Sequence, residues 1–175
     1  LFAQEVLNTT VFIFAVLGTA AAVGGILGGL LGPKVSEKFG SGRALAIALF
    51  VMPAATVVIG FMSQWYLVWI LVAIETFVAV LWNIVTVSLR QSLIPSHLLG
   101  RVNSVYRFFA WGTIPIGTLL GGAIVTLLQQ GLGREMAFRS VYFIGAGLGF
   151  ALFIYAIRIL TTENIEAARA AGSAS

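Results

Sequence analysis

From Val6 to Pro33 the chain carries no charged residue. A helix needs roughly 20 mostly apolar residues to cross a bilayer, so this run alone is long enough to span. Runs of the same kind recur down the sequence, separated by short basic segments. In hydrocarbon every backbone N–H and C=O must be satisfied within the protein. The fold open to such a chain is therefore an all-α, polytopic bundle of about five membrane-spanning helices. Composition agrees: 9% of the residues are charged and 59% are hydrophobic, whereas soluble domains carry about 25% charge. A surface so poor in charge is suited to lipid.

The first span, Val6–Pro33, is rich in glycine in its second half. Gly24, Gly28 and Gly32 lie four apart and share one helix face, which lets a second helix approach closely in lipid. A basic loop, Pro33–Arg43, should follow. The second span is Ala44–Met62, kinked near its middle by Pro53. Ser63-Gln64 reads as a tight polar turn, and Trp65, Tyr66 and Trp69 as an interfacial aromatic belt. The third span runs from Trp65 to Arg90. A second basic loop, Gln91–Arg107, contains Pro95, placed to open a short helix. The fourth span, Phe108–Leu128, holds Pro115, Gly117 and Gly121 as packing positions. A polar loop over Gln129–Arg139 leads to the fifth span, Ser140–Leu160. The tail from residue 166 to Ser175 is small and polar and is expected to be disordered.

Lys34, Lys38, Arg43, Arg90, Arg101 and Arg107 fall on one side of these spans, with Arg158 and Arg169 beyond the last. Arg134 and Arg139 fall on the other. The positive-inside bias makes the first side cytoplasmic, which puts Leu1 outside and Ser175 inside. This loop distribution also accounts for the net charge of +4 without nucleic acid. The start is read as internal to a longer protein, because no charged segment precedes the first apolar run as in a signal peptide. Asn8-Thr9-Thr10 fits the glycosylation pattern, but so short a match arises readily by chance and is not read as a used site.

With no cysteine and a single histidine, His97, the chain offers neither a disulfide nor a His cluster for a metal. No phosphate-binding Gly-Lys-Ser/Thr loop and no nucleophile–base set is visible, so neither an ATP-driven step nor an enzyme is expected, and no cofactor. The residue that stands out is Glu75. Counted from Trp65 it lies about 15 Å into a hydrocarbon core roughly 30 Å thick, where a charge is costly and by default functional. Positions 75, 79, 82, 86 and 90 share a helical face, giving the stripe Glu75, Ala79, Trp82, Thr86 and Arg90 with Asn83 at its edge. Such a stripe should face a cavity or the bundle interior. Glu75 suits binding of a cationic group or exchange of a proton, and the structural alternative is a neutral Glu bonded to a neighbouring helix. Trp82 suits stacking on substrate or packing, and Asn83 suits contact with a substrate or with another helix. No other charge shares Glu75's depth, so its partner is expected to be a substrate, a proton or another part of the protein.

Several segments carry a family resemblance. Glu37-Lys38-Phe39-Gly40 followed by Arg43 is similar to the loop signature of the major facilitator superfamily, with glutamate in place of the usual aspartate. Ser88-Leu89-Arg90-Gln91-Ser92-Leu93-Ile94-Pro95, Leu98-Leu99-Gly100-Arg101-Val102-Asn103-Ser104 and Trp111-Gly112-Thr113-Ile114-Pro115-Ile116-Gly117 resemble the branch of enterobactin exporters and macrolide-efflux proteins. The opening Leu1–Leu7 looks like the outer end of that branch's seventh helix. The resemblance implies a partial major facilitator fold: residues 1–165 as the C-terminal transmembrane half, most of the seventh helix and the N-terminal half lying elsewhere. It implies proton-coupled export of an amphipathic small molecule (a drug, macrolide or siderophore) across a cell membrane, the bacterial plasma membrane. A nutrient importer of the same fold and a non-transporting membrane scaffold are the alternatives. It also implies that Glu37, Lys38, Gly40, Arg43, Arg90 and Arg101 form a cytoplasmic gate, with Glu37 as the acid that pairs with the bases. The partners implied are the small-molecule substrate, protons, the lipid bilayer and the N-terminal half, with no nucleic acid.

Overall fold

The computed structural model describes residues 2–7, 9–161, 163–165 and 167. Asn8 of the glycosylation pattern, Arg169 and the tail from 168 to 175 lie outside them. A short helix, α1 (Phe2–Glu5), is followed by five long ones: α2 (Val11–Phe39), α3 (Ser41–Phe61), α4 (Trp65–Leu93), α5 (Ser96–Leu132) and α6 (Arg134–Ile157). All five are long and apolar enough to cross a membrane. The exterior is apolar, with Phe12, Leu30, Phe61, Phe108, Leu127 and Leu148 among its exposed side chains, as a lipid-facing surface requires.

The number of spans and the turn at Ser63-Gln64 match the sequence pattern, but the loops do not. The basic loop Pro33–Arg43 is absent: α2 continues through Pro33 to Phe39, and Gly40 alone joins it to α3. Gln91–Arg107 is likewise almost wholly helical, with Ile94 and Pro95 between α4 and α5. Pro95 opens not a short helix but one of 37 residues. Gln129–Arg139 shrinks to Gly133. The physical reason is common to all three. Lys, Arg, Glu and Gln are good helix formers, so charge marks where a helix leaves the bilayer and does not mark where it ends.

Glycine makes the one-residue turns possible. Gly40 has φ 78° and ψ 155°, and Gly133 φ 80° and ψ 160°. This region of backbone space is essentially closed to residues with a Cβ.

In the bundle α2 lies along α4, α3 packs against both α4 and α6, and α5 leans on α6. Two apolar clusters lie between the helices, one toward each end. At the end rich in Lys and Arg, here called the basic end, Ala44, Leu45, Leu81 and Val85 are closed by Ile165 from the segment after α6. Toward the opposite end, Leu7, Ile59 and Val68 pack with Leu17, Trp65 and Tyr142. The α2–α4 seam is made by glycine. A Cβ at Gly24 would strike the backbone carbonyl of Ala73. One at Gly28 would come within 2.8 Å of Val80 Cβ, and one at Gly32 within 2.8 Å of Ile84 Cδ1.

α5 is different. None of its residues is buried, and Gly121 touches α6 only by approaching Val141. Gly117, read from the sequence as a packing position, has open space around it, and Pro115 is exposed. The helix meets α6 through its second half only, which leaves both positions beyond the contact.

Candidate functional site

Glu75 sits in the middle of α4, partly buried, and turns toward α3. Its Oε1 lies 2.6 Å from Thr56 Oγ1. Thr56 is one turn beyond Pro53, and its hydroxyl is also 3.0 Å from the carbonyl of Met52. A neutral hydroxyl on the neighbouring helix thus holds the carboxyl, the kind of contact that the structural alternative for Glu75 describes. No charged group among the described residues pairs with it; the ion pairs found there are Arg134–Glu5 and Arg139–Glu135.

The other members of the stripe do not converge on Glu75. Trp82 is packed against the apolar cluster at the basic end. Asn83 is exposed, and its Nδ2 donates to Ala79 O at 3.0 Å within its own helix. Thr86 Oγ1 donates to Trp82 O at 2.8 Å. Arg90, about 22 Å from Glu75 at 1.5 Å per residue, stacks on the Tyr106 ring of α5, 3.9 Å from its centroid. Buried Nε and Nη1 of Arg90 have no hydrogen-bond partner among the described residues.

The charges at the basic end are spread out. Glu37, Lys38, Arg43 and Arg101 are all exposed. Glu37 makes no ion pair among the described residues. It lies on the last turn of α2, carried outward by the unbroken helix. Lys38 sits 5.6 Å from the centre of the Phe39 ring. Arg43 lines a cavity of about 540 Å³ with Phe39, Leu160, Thr161 and Glu163. A second cavity, about 500 Å³, lies between α1, α5 and α6, walled by Phe2, Phe138 and Tyr142 and floored by Gly117 and Gly121.

Two positions were missed in the sequence. Arg139, read there only as a base in an outer loop, is 8% exposed. Its guanidinium donates to Gly60 O at 2.6 Å, Met62 O at 3.1 Å and Ser63 Oγ at 2.8 Å, and pairs with Glu135 at 2.9 Å. It satisfies carbonyls that the C-terminal end of α3 leaves without helical partners, and so fastens α6 to α3. Trp69, read as part of the interfacial belt, instead donates its indole N–H to Val16 O at 3.1 Å and Thr19 Oγ1 at 3.0 Å, joining α4 to α2. Arg139 carried a readable signal: it follows Glu135 by four residues, an i,i+4 pair.

No metal-binding group of three or more His, Cys, Asp or Glu side chains exists among the described residues. What the geometry defines is a polytopic helical membrane bundle with one acid held between two spans. Over 110 residues the chain is 34% identical to the Multidrug efflux pump Tap of Mycolicibacterium fortuitum, a match that takes in 60% of this chain and 26% of that protein. The chain thus matches about a quarter of the relative's length. No family model and no solved structure matches the chain.

Proposed function

We propose that residues 1–165 are the C-terminal half of a secondary active exporter of the major facilitator type, which uses the proton gradient to expel an amphipathic small molecule. The observation that carries this reading is Glu75, an acid at mid-span whose partner is a neutral hydroxyl. A carboxyl so placed is expensive as a permanent charge and well suited to taking up and releasing a proton. Similarity to a protein described as a multidrug efflux pump favours export and a drug-like substrate. The exposed first half of α5, with Phe108, Phe109 and Trp111 open, fits a helix that packs against further spans of the same protein. In that arrangement substrate binds between two halves that rock about it. Glu75 carries the proton, while Trp82, Asn83 and Thr86 lie toward the cytoplasmic side of the same helix. Glu37, Lys38, Gly40, Arg43, Arg90 and Arg101 then form the cytoplasmic gate against the other half, where Arg90's unpartnered nitrogens meet an acceptor. The membrane is the bacterial plasma membrane.

The test is export by the full-length protein in liposomes, with and without a pH gradient. Glu75→Gln is expected to fold as wild type and to lose the gradient dependence, because Gln keeps the shape and hydrogen bonding but carries no proton. Undiminished and equally pH-dependent export by Glu75→Gln would remove Glu75 from the mechanism. Gradient-independent uptake of a nutrient, or no transport at all, would replace an exporter with an importer or a scaffold.

A further inference from the structure

Thr56 has one hydroxyl hydrogen and two acceptors within reach, Glu75 Oε1 at 2.6 Å and Met52 O at 3.0 Å. It can donate to one of them at a time. An ionised carboxylate only accepts hydrogen bonds, so it claims that hydrogen. A protonated carboxyl can donate its own hydrogen to Thr56 Oγ1, and the Thr56 hydrogen then turns to Met52 O. From this geometry we infer that Thr56 is a positioning residue that passes the protonation state of Glu75 from α4 to the proline turn of α3. The inference rests on the proton-carrying reading of Glu75.

The turn that receives this change is built to respond. Pro53 follows Met52 directly and has no N–H, so the carbonyl of Leu49 loses its i→i+4 bond and the helix is weakened there. A Thr hydroxyl bonded to the carbonyl four residues back bends a helix. Protonation of Glu75 switches that back-bond on, and ionisation switches it off, within one turn of Pro53. The proline turn is also in contact with the next helix. A Cβ at Gly149 of α6 would come within 2.8 Å of Pro53 Cβ, so α6 is seated directly on the proline. The path therefore runs from the proton on α4, through one hydroxyl, to the proline turn of α3 and the seat of α6.

Few other groups compete for control of this switch. On α6, Tyr142 packs against the apolar cluster of Leu7, Ile59 and Val68, and Glu135 and Arg139 pair with each other at the far end of the helix. The α2 face against α4 is Gly24, Gly28 and Gly32, and the charged residues of α2 and α5 lie at the basic end.

The experiment is infrared difference spectroscopy of the full-length protein in liposomes across pH, paired with gradient-driven export. Glu75→Gln identifies the C=O stretch of the protonated Glu75 carboxyl by removing it. In Thr56→Val that band should move to higher frequency, as for a carboxyl without a partner. Export should fall on the order of tenfold, the effect of losing one hydrogen bond to a charged group. Thr56→Ser should restore both, and Tyr142→Phe should move neither. Should Thr56→Val not fold, Thr56→Ala carries the same comparison. A Glu75 band and a pH dependence of export unchanged in Thr56→Val would overturn the inference while leaving Glu75 as the proton carrier. If Glu75→Gln itself leaves the pH dependence intact, the underlying reading fails first.

Discussion

At the scale of single residues, Arg139 and Arg134 show how burial decides what a charge contributes. Both are arginines near the start of α6, and both touch a glutamate. Arg139 is buried and gives its guanidinium to two carbonyls, a serine and Glu135, whereas Arg134 is 61% exposed in its pair with Glu5. Truncating Arg139 to Ala strands acceptors at the end of α3 and should cost about 1.5–3 kcal/mol, the range for hydrogen bonds to a charged group. Arg139→Lys should recover only part of it, because an ammonium cannot reproduce the planar fork. Arg134→Ala should cost under about 1 kcal/mol, as exposed ion pairs do. Thermal unfolding of detergent-solubilised protein compares the three, and equal losses at 134 and 139 would contradict the clamp. Glu75 was legible in the sequence because an acid at mid-span is conspicuous. Thr56 was not, because a threonine inside a helix usually bonds its own backbone, and only the packing of α3 on α4 shows that it also reaches the acid.

At the scale of elements, the number of helices was readable from hydropathy, and their ends were not. The segments Lys34–Phe39 and Ser96–Arg107 are polar enough to resemble loops, yet local propensity keeps them helical once the neighbouring span has nucleated them. The turns themselves are single glycines or a short X-Pro step, too brief to stand out by composition. Glycine spacing carried more information. Gly24 and Gly28 face α4, whereas Gly29, one residue on, has nothing within 4 Å. Gly28→Val should therefore separate α2 from α4 and lower the folded yield sharply, while Gly29→Val should leave yield and melting temperature close to wild type. Gly24→Ala is the stricter variant, since its Cβ meets backbone, which cannot swing aside as a side chain can. Gly40→Ala tests the connection by a different mechanism. Its backbone region is closed to alanine, so strain of about 1–3 kcal/mol is expected with no change in helix contacts. Comparable behaviour of the 28 and 29 variants would show that the seam is not made by glycine.

At the scale of the whole molecule, the constraint that joins all these parts is how the bundle sits in the bilayer. The connections at Gly40 and at Ile94–Pro95 lie at one end, together with Lys34, Lys38, Arg43, Arg90 and Arg101. The connections at Met62–Gln64 and Gly133 lie at the other, where Arg139 is neutralised by Glu135 and Arg134 by Glu5. The excess of Lys and Arg at the first end is the positive-inside pattern, from which that end is expected to be cytoplasmic. The chain contains no cysteine, so a single introduced cysteine is the only thiol the chain offers to a membrane-impermeant maleimide. In the full-length protein, with any other cysteines replaced, Ser36→Cys should be labelled only after the membrane is opened. Gln64→Cys should be labelled in intact cells. Both positions bear on the mechanism: residue 36 lies on the α2 turn that precedes the Glu37–Arg43 segment, and residue 64 immediately follows the α3 end that Arg139 holds. Labelling at 36 but not at 64 in intact cells would invert the bundle. It would place the proposed gate on the outer face of the membrane.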